Sequence, residues 1–346
     1  MSDLTHGYTF DDVLLVPKHS AVASREDVNL SVQLPKGIQL GLPLVSANMK
    51  TVTGPEMAQC IANLGGLAIL HRFDDHNQLC ANFTRAMDIA SHKSMPGAIG
   101  ASVGIKKKDT FLAKSLYDDG CRILCVDVAH GDHGAVAEFV NNLTNKCPYA
   151  LIIAGNIVTE SGARLLWEAG ADIIKIGVGP GSLCTTRVET GNGYPQLSAL
   201  DIVCNGDYKH RGGNDEPPQW PLFIADGGIK SAGDCVKALA FADLVMIGNL
   251  FAGTDEAPGP VISVGGQQYK QYVGSSTHKL NHVEGVVGLV PYKGSVENVV
   301  LKLTEGIRSG CSYQGVDDLE QLKTDPQFVT ISNAGLHESG AHDVKL

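Results

Sequence analysis

The chain has 346 residues, 43% of them hydrophobic and 18% charged, a balance that suits a soluble globular protein with a sizeable core. A formal net charge of −10 and a pI near 5.6 speak against a nucleic-acid partner, because phosphate backbones are held by clustered Lys and Arg. No apolar stretch reaches the roughly 18 to 20 residues that span a bilayer, and the opening MSDLTHGYTFDDVLL lacks the charged-then-apolar build of a signal peptide. A cytoplasmic protein with no membrane partner is expected.

Along the chain, short apolar runs ending in small or polar residues recur eight times. They are PLVSAN from 43, GLAILH from 66, AIGASVG from 98, RILCVDVAHG from 122, ALIIAGN from 150, DIIKIGVG from 172, PLFIADGG from 221 and DLVMIGN from 243. Runs this uniformly apolar suit parallel strands buried on both faces, and intervening segments such as ESGARLLWEAGA and SAGDCVKALAFA carry helical spacing. Eight strand-helix units predict an α/β fold, a (β/α)8 TIM barrel forming a single domain over 1–346; the same alternation could also build an open doubly wound sheet. The long segment 182–220 is expected to be an active-site loop followed by a polar insertion, since long loops after barrel strands lie on the catalytic face. Glycine-punctuated residues 258–294 predict an excursion with a small hairpin near the barrel mouth, then an amphipathic helix at about 295–309 and a tail over 325–346.

Nine cysteines at irregular spacing, with no CxxC, suit a reducing compartment better than a disulfide framework. Cys121 and Cys125 flank RIL on an expected strand and are read as core filler. The basic run Lys106 to Lys108 is read as a solvated helix start.

The loops after strands seven and eight, ADGGIKSAGD and IGNLFAG, have the composition of a phosphate cradle. Glycine turns there let backbone N–H groups point at an anion. Gly227, Gly228, Gly248 and Asn249 offer such groups, and Asp226 could accept from a ribose diol, so a nucleotide monophosphate is expected. Cys184 stands in IKIGVGPGSLCTTRVETGNGYPQ, where backbone N–H groups and Arg187 would favour the thiolate and Thr185 or Thr186 could move a proton. Gly179 and Gly181 could turn carbonyls toward a monovalent cation.

GVGPGSLCTTR resembles the signature loop of the family that contains IMP dehydrogenase and GMP reductase, and YTFDDVLLVPKHS, LVSANMKTVTGPEMA, CVDVAHGDH, IADGGIKSAGD and VEGVVGLVPYKGSV resemble other family segments in family order. The resemblance implies that Cys184 attacks C2 of the purine to give a thioimidate, with Thr186 as its polar helper. It implies Ser46, Met49, Ser182, Asp226, Gly227, Gly228, Gly248, Asn249, Gly274, Ser275, Ser276 and Gly285 as substrate-binding residues. Asn48, Arg72, Asp127, Ala129, His130 and Gly131 would face the nicotinamide cofactor, and carbonyls of Gly179, Gly181 and Cys184 would hold potassium. A homotetramer is implied as well. Only seven residues, THKLNHV, separate Ser276 from Glu284, too few for the long flap of dehydrogenases, and they lack its Arg-Tyr pair. No regulatory CBS pair interrupts the segment after the second strand. Both departures resemble the reductase branch, for which Glu284 would join Thr186 in handling the proton of ammonia, with GMP and IMP as substrate and product and NADPH as cofactor. The tail AGLHESGAHDV and the wording VEGVVGLVPYKG resemble the dehydrogenase branch instead.

Overall fold

The structure, a computed structural model, describes residues 4–89, 97–208, 220–274 and 286–340. Eight parallel strands close into a barrel in sequence order. They are β1 (Leu44–Ser46), β2 (Leu67–Leu70), β3 (Ala98–Val103), β4 (Ile123–Asp127), β5 (Leu151–Ile157), β6 (Ile173–Ile176), β7 (Leu222–Asp226) and β8 (Leu244–Ile247). The β8–β1 pairing shuts the ring, with Val245 opposite Leu44 and Ile247 opposite Ser46. All eight expected runs are strands of this one barrel, which settles the choice against an open sheet. Each is mostly apolar because its outer face lies under helices while its inner face fills the barrel.

The longer helices among the described residues are α1 (Pro55–Asn63), α2 (His76–Ile89), α3 (Lys107–Asp118), α4 (Gly134–Lys146), α5 (Glu160–Ala169), α6 (Gln196–Cys204), α7 (Ala232–Leu239) and α8 (Val296–Tyr313). In α5 the Thr159 hydroxyl accepts from Gly162 N–H, and Gly170 ends the helix in the left-handed conformation at φ 109°. Between those caps Ala163, Leu166 and Trp167 face the barrel and are buried. Truncating a buried Trp such as this one costs about 3–5 kcal/mol. The lysines at 106–108 open α3 from the solvent side, as their sequence suggests, while Asp109 accepts the Lys106 N–H. Cys121 and Cys125 are wholly buried, and burial pushes both thiols up to about 12, so they act as apolar filler.

Residues after β8 build more than a hairpin. β9 (Val261–Val264), β10 (Gln267–Val273) and β11 (Val287–Pro291) form a three-stranded antiparallel sheet. Buried Lys270 roots it, donating to the carbonyls of Thr254 (2.9 Å) and Ala257. Helix α8 continues past the expected 309 to Tyr313, since Cys311 is still a core contact. Phe328–Thr330 of the tail pairs antiparallel with Val13–Leu15 of the amino-terminal segment. Among the described residues no helix is long and apolar enough to cross a membrane.

Candidate active site

The loop from β6 to the short helix Thr186–Thr190 carries Cys184 at the carboxyl-terminal mouth of the barrel. Its backbone takes a path that side chains would obstruct. Gly177 has φ 148°, and a β-carbon there would lie 2.0 Å from the Asp226 carbonyl oxygen. Gly179 has φ 90°, which L side chains rarely adopt. Cys184 N–H donates to Gly181 O at 3.0 Å, closing a turn that leaves the thiol exposed. Cys184 Sγ lies 3.1 Å from Thr186 Oγ1, and Thr186 is only 9% exposed at the start of its helix. Arg187 has a different task from the one its position suggests. Its guanidinium donates to the Tyr194 carbonyl, and its stem lies where β-carbons on Gly179 and Gly193 would be, so it braces the loop.

The β7 loop packs directly on the cysteine loop: a β-carbon on Gly227 would meet Pro180 at 2.8 Å and Gly181 N at 3.2 Å. Gly227 and Gly228 are both left-handed, at φ 101° and 83°. Asp226, at the end of β7, has its described hydrogen bonds on Oδ2, from Asn156 Nδ2 at 2.8 Å and Lys175 Nζ at 3.1 Å. Gly248 caps the four-residue helix Asn249–Ala252 at the end of β8. A β-carbon on Gly248 would lie 2.7 Å from Tyr272 Oη. Tyr272, 4% exposed, reaches down from β10 and donates to Met49 Sδ at 3.5 Å. Burial pushes the Tyr272 hydroxyl well above its ordinary pKa, so it remains a donor. Val273 N–H donates to Thr51 Oγ1 at 3.0 Å, which stitches the outer sheet to the β1 loop. Ser46 is buried 3.0 Å from Thr53 Oγ1, and Ser182 is exposed on the cysteine loop. Met49, Phe73 and Gly274 help line a cavity of about 250 Å³ beneath the sheet.

On the other side of the mouth, β4 ends at Asp127. Lys175 Nζ is 3.0 Å from Asp127 Oδ1, Arg72 Nε is 3.6 Å from Oδ2, and Asn48 adds a side-chain hydrogen bond. Burial alone would raise the Asp127 pKa, but the Lys175 and Arg72 charges and these hydrogen bonds outweigh it and hold the carboxyl below its ordinary value. Ala129 and His130 are exposed just beyond, and Gly131 N–H donates to Asn156 O at 2.7 Å. Lys175, Asn156 and Tyr272 escape sequence inspection; each acts through partners distant in the chain. Ser275, Ser276, Glu284 and Gly285 lie outside the described residues. Among the described residues no group of three or more His, Cys, Asp or Glu side chains could hold a metal ion.

The IMP dehydrogenase / GMP reductase domain matches residues 7–342. The chain belongs to this family. It is 35% identical to inosine-5'-monophosphate dehydrogenase of Borreliella burgdorferi, over 97% of this chain and 96% of that protein. With GMP reductase of Leishmania donovani it shares 32% identity over 99% and 98% of the two chains. The alignments run over 403 and 492 residues, so these relatives carry stretches that a chain of 346 lacks. A crystal structure of a cysteine-to-alanine variant of GMP reductase from Trypanosoma brucei, in complex with guanosine 5'-monophosphate, superposes with a TM-score of 0.88 at 29% identity, covering 99% of both chains. Membership makes this protein an oxidoreductase of purine metabolism, from a family that works with a nicotinamide cofactor.

Proposed function

We propose that this family member is a GMP reductase that converts GMP to IMP and ammonia with NADPH. The observation that carries the reading is the short connection between β10 and β11, which ends beside Cys184. Gly274 N–H donates to Val286 O at 3.0 Å, and Val286 N–H donates to Leu183 O at 3.2 Å, beside the nucleophile. The paired strands therefore leave only residues 275–285, SSTHKLNHVEG, for the whole connection. A dehydrogenase must hydrolyse its covalent intermediate, which needs a group to activate water; this connection has no Arg-Tyr pair for it.

In the proposed mechanism the Cys184 thiolate adds to C2 of GMP, forming the C–S bond. The 2-amino group leaves as ammonia, taking a proton that Thr186 and Glu284 relay. When bound, the nicotinamide supplies a hydride to C2. Collapse then breaks the C–S bond, releases IMP and returns the thiolate, so one difficult substitution becomes two easier steps. Asp226 would accept from the ribose hydroxyls, and the loop amides at Gly227, Gly228, Gly248 and Asn249, with Ser182, would hold the phosphate. Arg72 fits a role on the cofactor side because its Nε, 3.6 Å from Asp127 Oδ2, is buried with no hydrogen-bond partner among the described residues. The carbonyls of Gly179, Gly181 and Cys184 form a donor set suited to potassium.

The second reading, an IMP dehydrogenase oxidising IMP to XMP with NAD, is favoured by the names of relatives such as those of Borreliella burgdorferi and Nitrosopumilus maritimus. One experiment separates the two. Purified protein is given GMP with NADPH, and separately IMP with NAD, while nicotinamide absorbance and free ammonia are followed. The reductase reading expects NADPH loss matched by ammonia; NADH production from IMP without ammonia release from GMP would overturn it.

A further inference from the structure

We propose that Lys175 is a positioning residue that ties the nucleotide half of this site to its cofactor half, its single ammonium group fixing both Asp226 and Asp127. The assignment of those two carboxylates to ribose and nicotinamide rests on the function proposed above. The geometry is independent of it. Lys175 is 1% exposed inside the barrel, and Nζ stands 3.0 Å from Asp127 Oδ1 and 3.1 Å from Asp226 Oδ2.

The barrel register builds this bridge. Asp127 on β4 lies opposite Gly155 on β5, which lies opposite Lys175 on β6. A β-carbon on Gly155 would fall 2.7 Å from Lys175 Cβ, so the glycine admits the lysine at that level. Asn156 supplies a second strut, donating to Asp226 Oδ2 and to Gly177 O, each at 2.8 Å. It thereby holds Asp226 against the strand that leads into the cysteine loop. Asp127 is flanked by Arg72 and Asn48 on its other side, and among the described residues Cys125 and Tyr272 are the further titratable neighbours of the cluster. One charge thus sets the spacing between two acceptors that must receive two different molecules, and neither acceptor can shift without the other.

The test is a steady-state comparison of wild type, Lys175→Met and Lys175→Arg at neutral pH, scored on whichever substrate pair the wild type turns over. A failed reductase reading therefore leaves this test standing. In Lys175→Met, KM for nucleotide and for cofactor should both rise tenfold or more, with Lys175→Arg recovering part of each because its fork can still bridge two carboxylates. A lysine that merely supported the core would lower the active fraction, and hence apparent kcat, with both KM values unchanged; that outcome overturns the proposal. If Lys175→Met does not fold, Asp127→Asn is the second arm. Nucleotide affinity measured by calorimetry without cofactor should change at least threefold, although Asp127 stands on the cofactor side, and unchanged affinity overturns the proposal equally.

Discussion

The cysteine loop and the barrel interior beneath it hold their polar groups in opposite ways. In the loop, glycine backbones at 177 and 179 adopt left-handed or near-contact paths, Arg187 braces the turn from outside, and the thiol stands exposed with one hydroxyl partner. A few residues below, Lys175, Asp127 and Asp226 are locked by charge in a place from which water is largely excluded. In the proposed reaction the loop presents the atom that forms and breaks a bond, while the interior supplies fixed acceptors. Rigid elements place groups more accurately than loops do, so a site that needs both reactivity and registration draws on each.

The largest break in this comparison comes from the loop. Cys184→Ala should abolish turnover, by about 10⁴-fold or more, while a nucleotide still binds, because the proposed phosphate and ribose contacts lie elsewhere. Loss of binding together with turnover, seen by calorimetry, would mean that the cysteine shapes the loop. Lys175→Met tests the interior with a stability readout: removing the buried cation from two carboxylates that are each about a fifth exposed should cost about 1–3 kcal/mol in denaturant unfolding. A cost below about 1 kcal/mol would show that water already screens the cluster. Thr186→Val is next, with turnover falling about 10²-fold if the hydroxyl moves a proton and nucleotide affinity nearly unchanged.

The pH dependence sharpens the contrast, because the interior carboxyl of Asp127 is held ionised by its surroundings. Asp127 has a folded pKa below its unfolded value of about 3.9. Its contribution is therefore complete above roughly pH 4 to 5 and declines as pH falls through the lower folded value, where the carboxylate that pairs with Lys175 and Arg72 takes a proton. Thermal unfolding of wild type and Asp127→Asn between pH 6 and pH 3 should show a wild-type advantage that shrinks toward pH 3. A constant gap would remove the carboxylate charge from the account.

The fold was legible in the sequence because parallel barrel strands have no solvent face, so each registers as a mostly apolar run. Cys184 was legible because its glycines announce a strained loop, and family resemblance names its role. Lys175 was not: inside DIIKIGVG it reads as a stray charge, and its meaning depends on Asp127 and Asp226, 48 and 51 residues away. Arg187 is the reverse case. Proximity to Cys184 in sequence suggested an electrostatic partner, whereas the positive-φ turns at Gly179 and Gly193 open a groove for its stem and direct it to Tyr194. The third strand of the outer sheet was hidden by glycines in VEGVVGLVPYKG, which look like turn punctuation until Val287–Pro291 is paired along β10.

That outer sheet gives the smallest effect. Tyr272 is contributed by an antiparallel strand outside the barrel, yet its hydroxyl ends 3.5 Å from Met49 Sδ, a contact spanning 223 residues of sequence. A neutral hydrogen bond to a thioether is weak, so Tyr272→Phe keeps the ring and its burial and should cost no more than about 0.5–1.5 kcal/mol of stability. The missing hydroxyl also removes the atom that a β-carbon on Gly248 would strike at 2.7 Å. Gly248→Ala should therefore be better tolerated in the Tyr272→Phe background than in wild type, and a double-mutant cycle on unfolding free energy measures that coupling. Additivity within about 0.3 kcal/mol would mean that the two residues are close without constraining each other, and that the sheet covers the loop after β8 without shaping it.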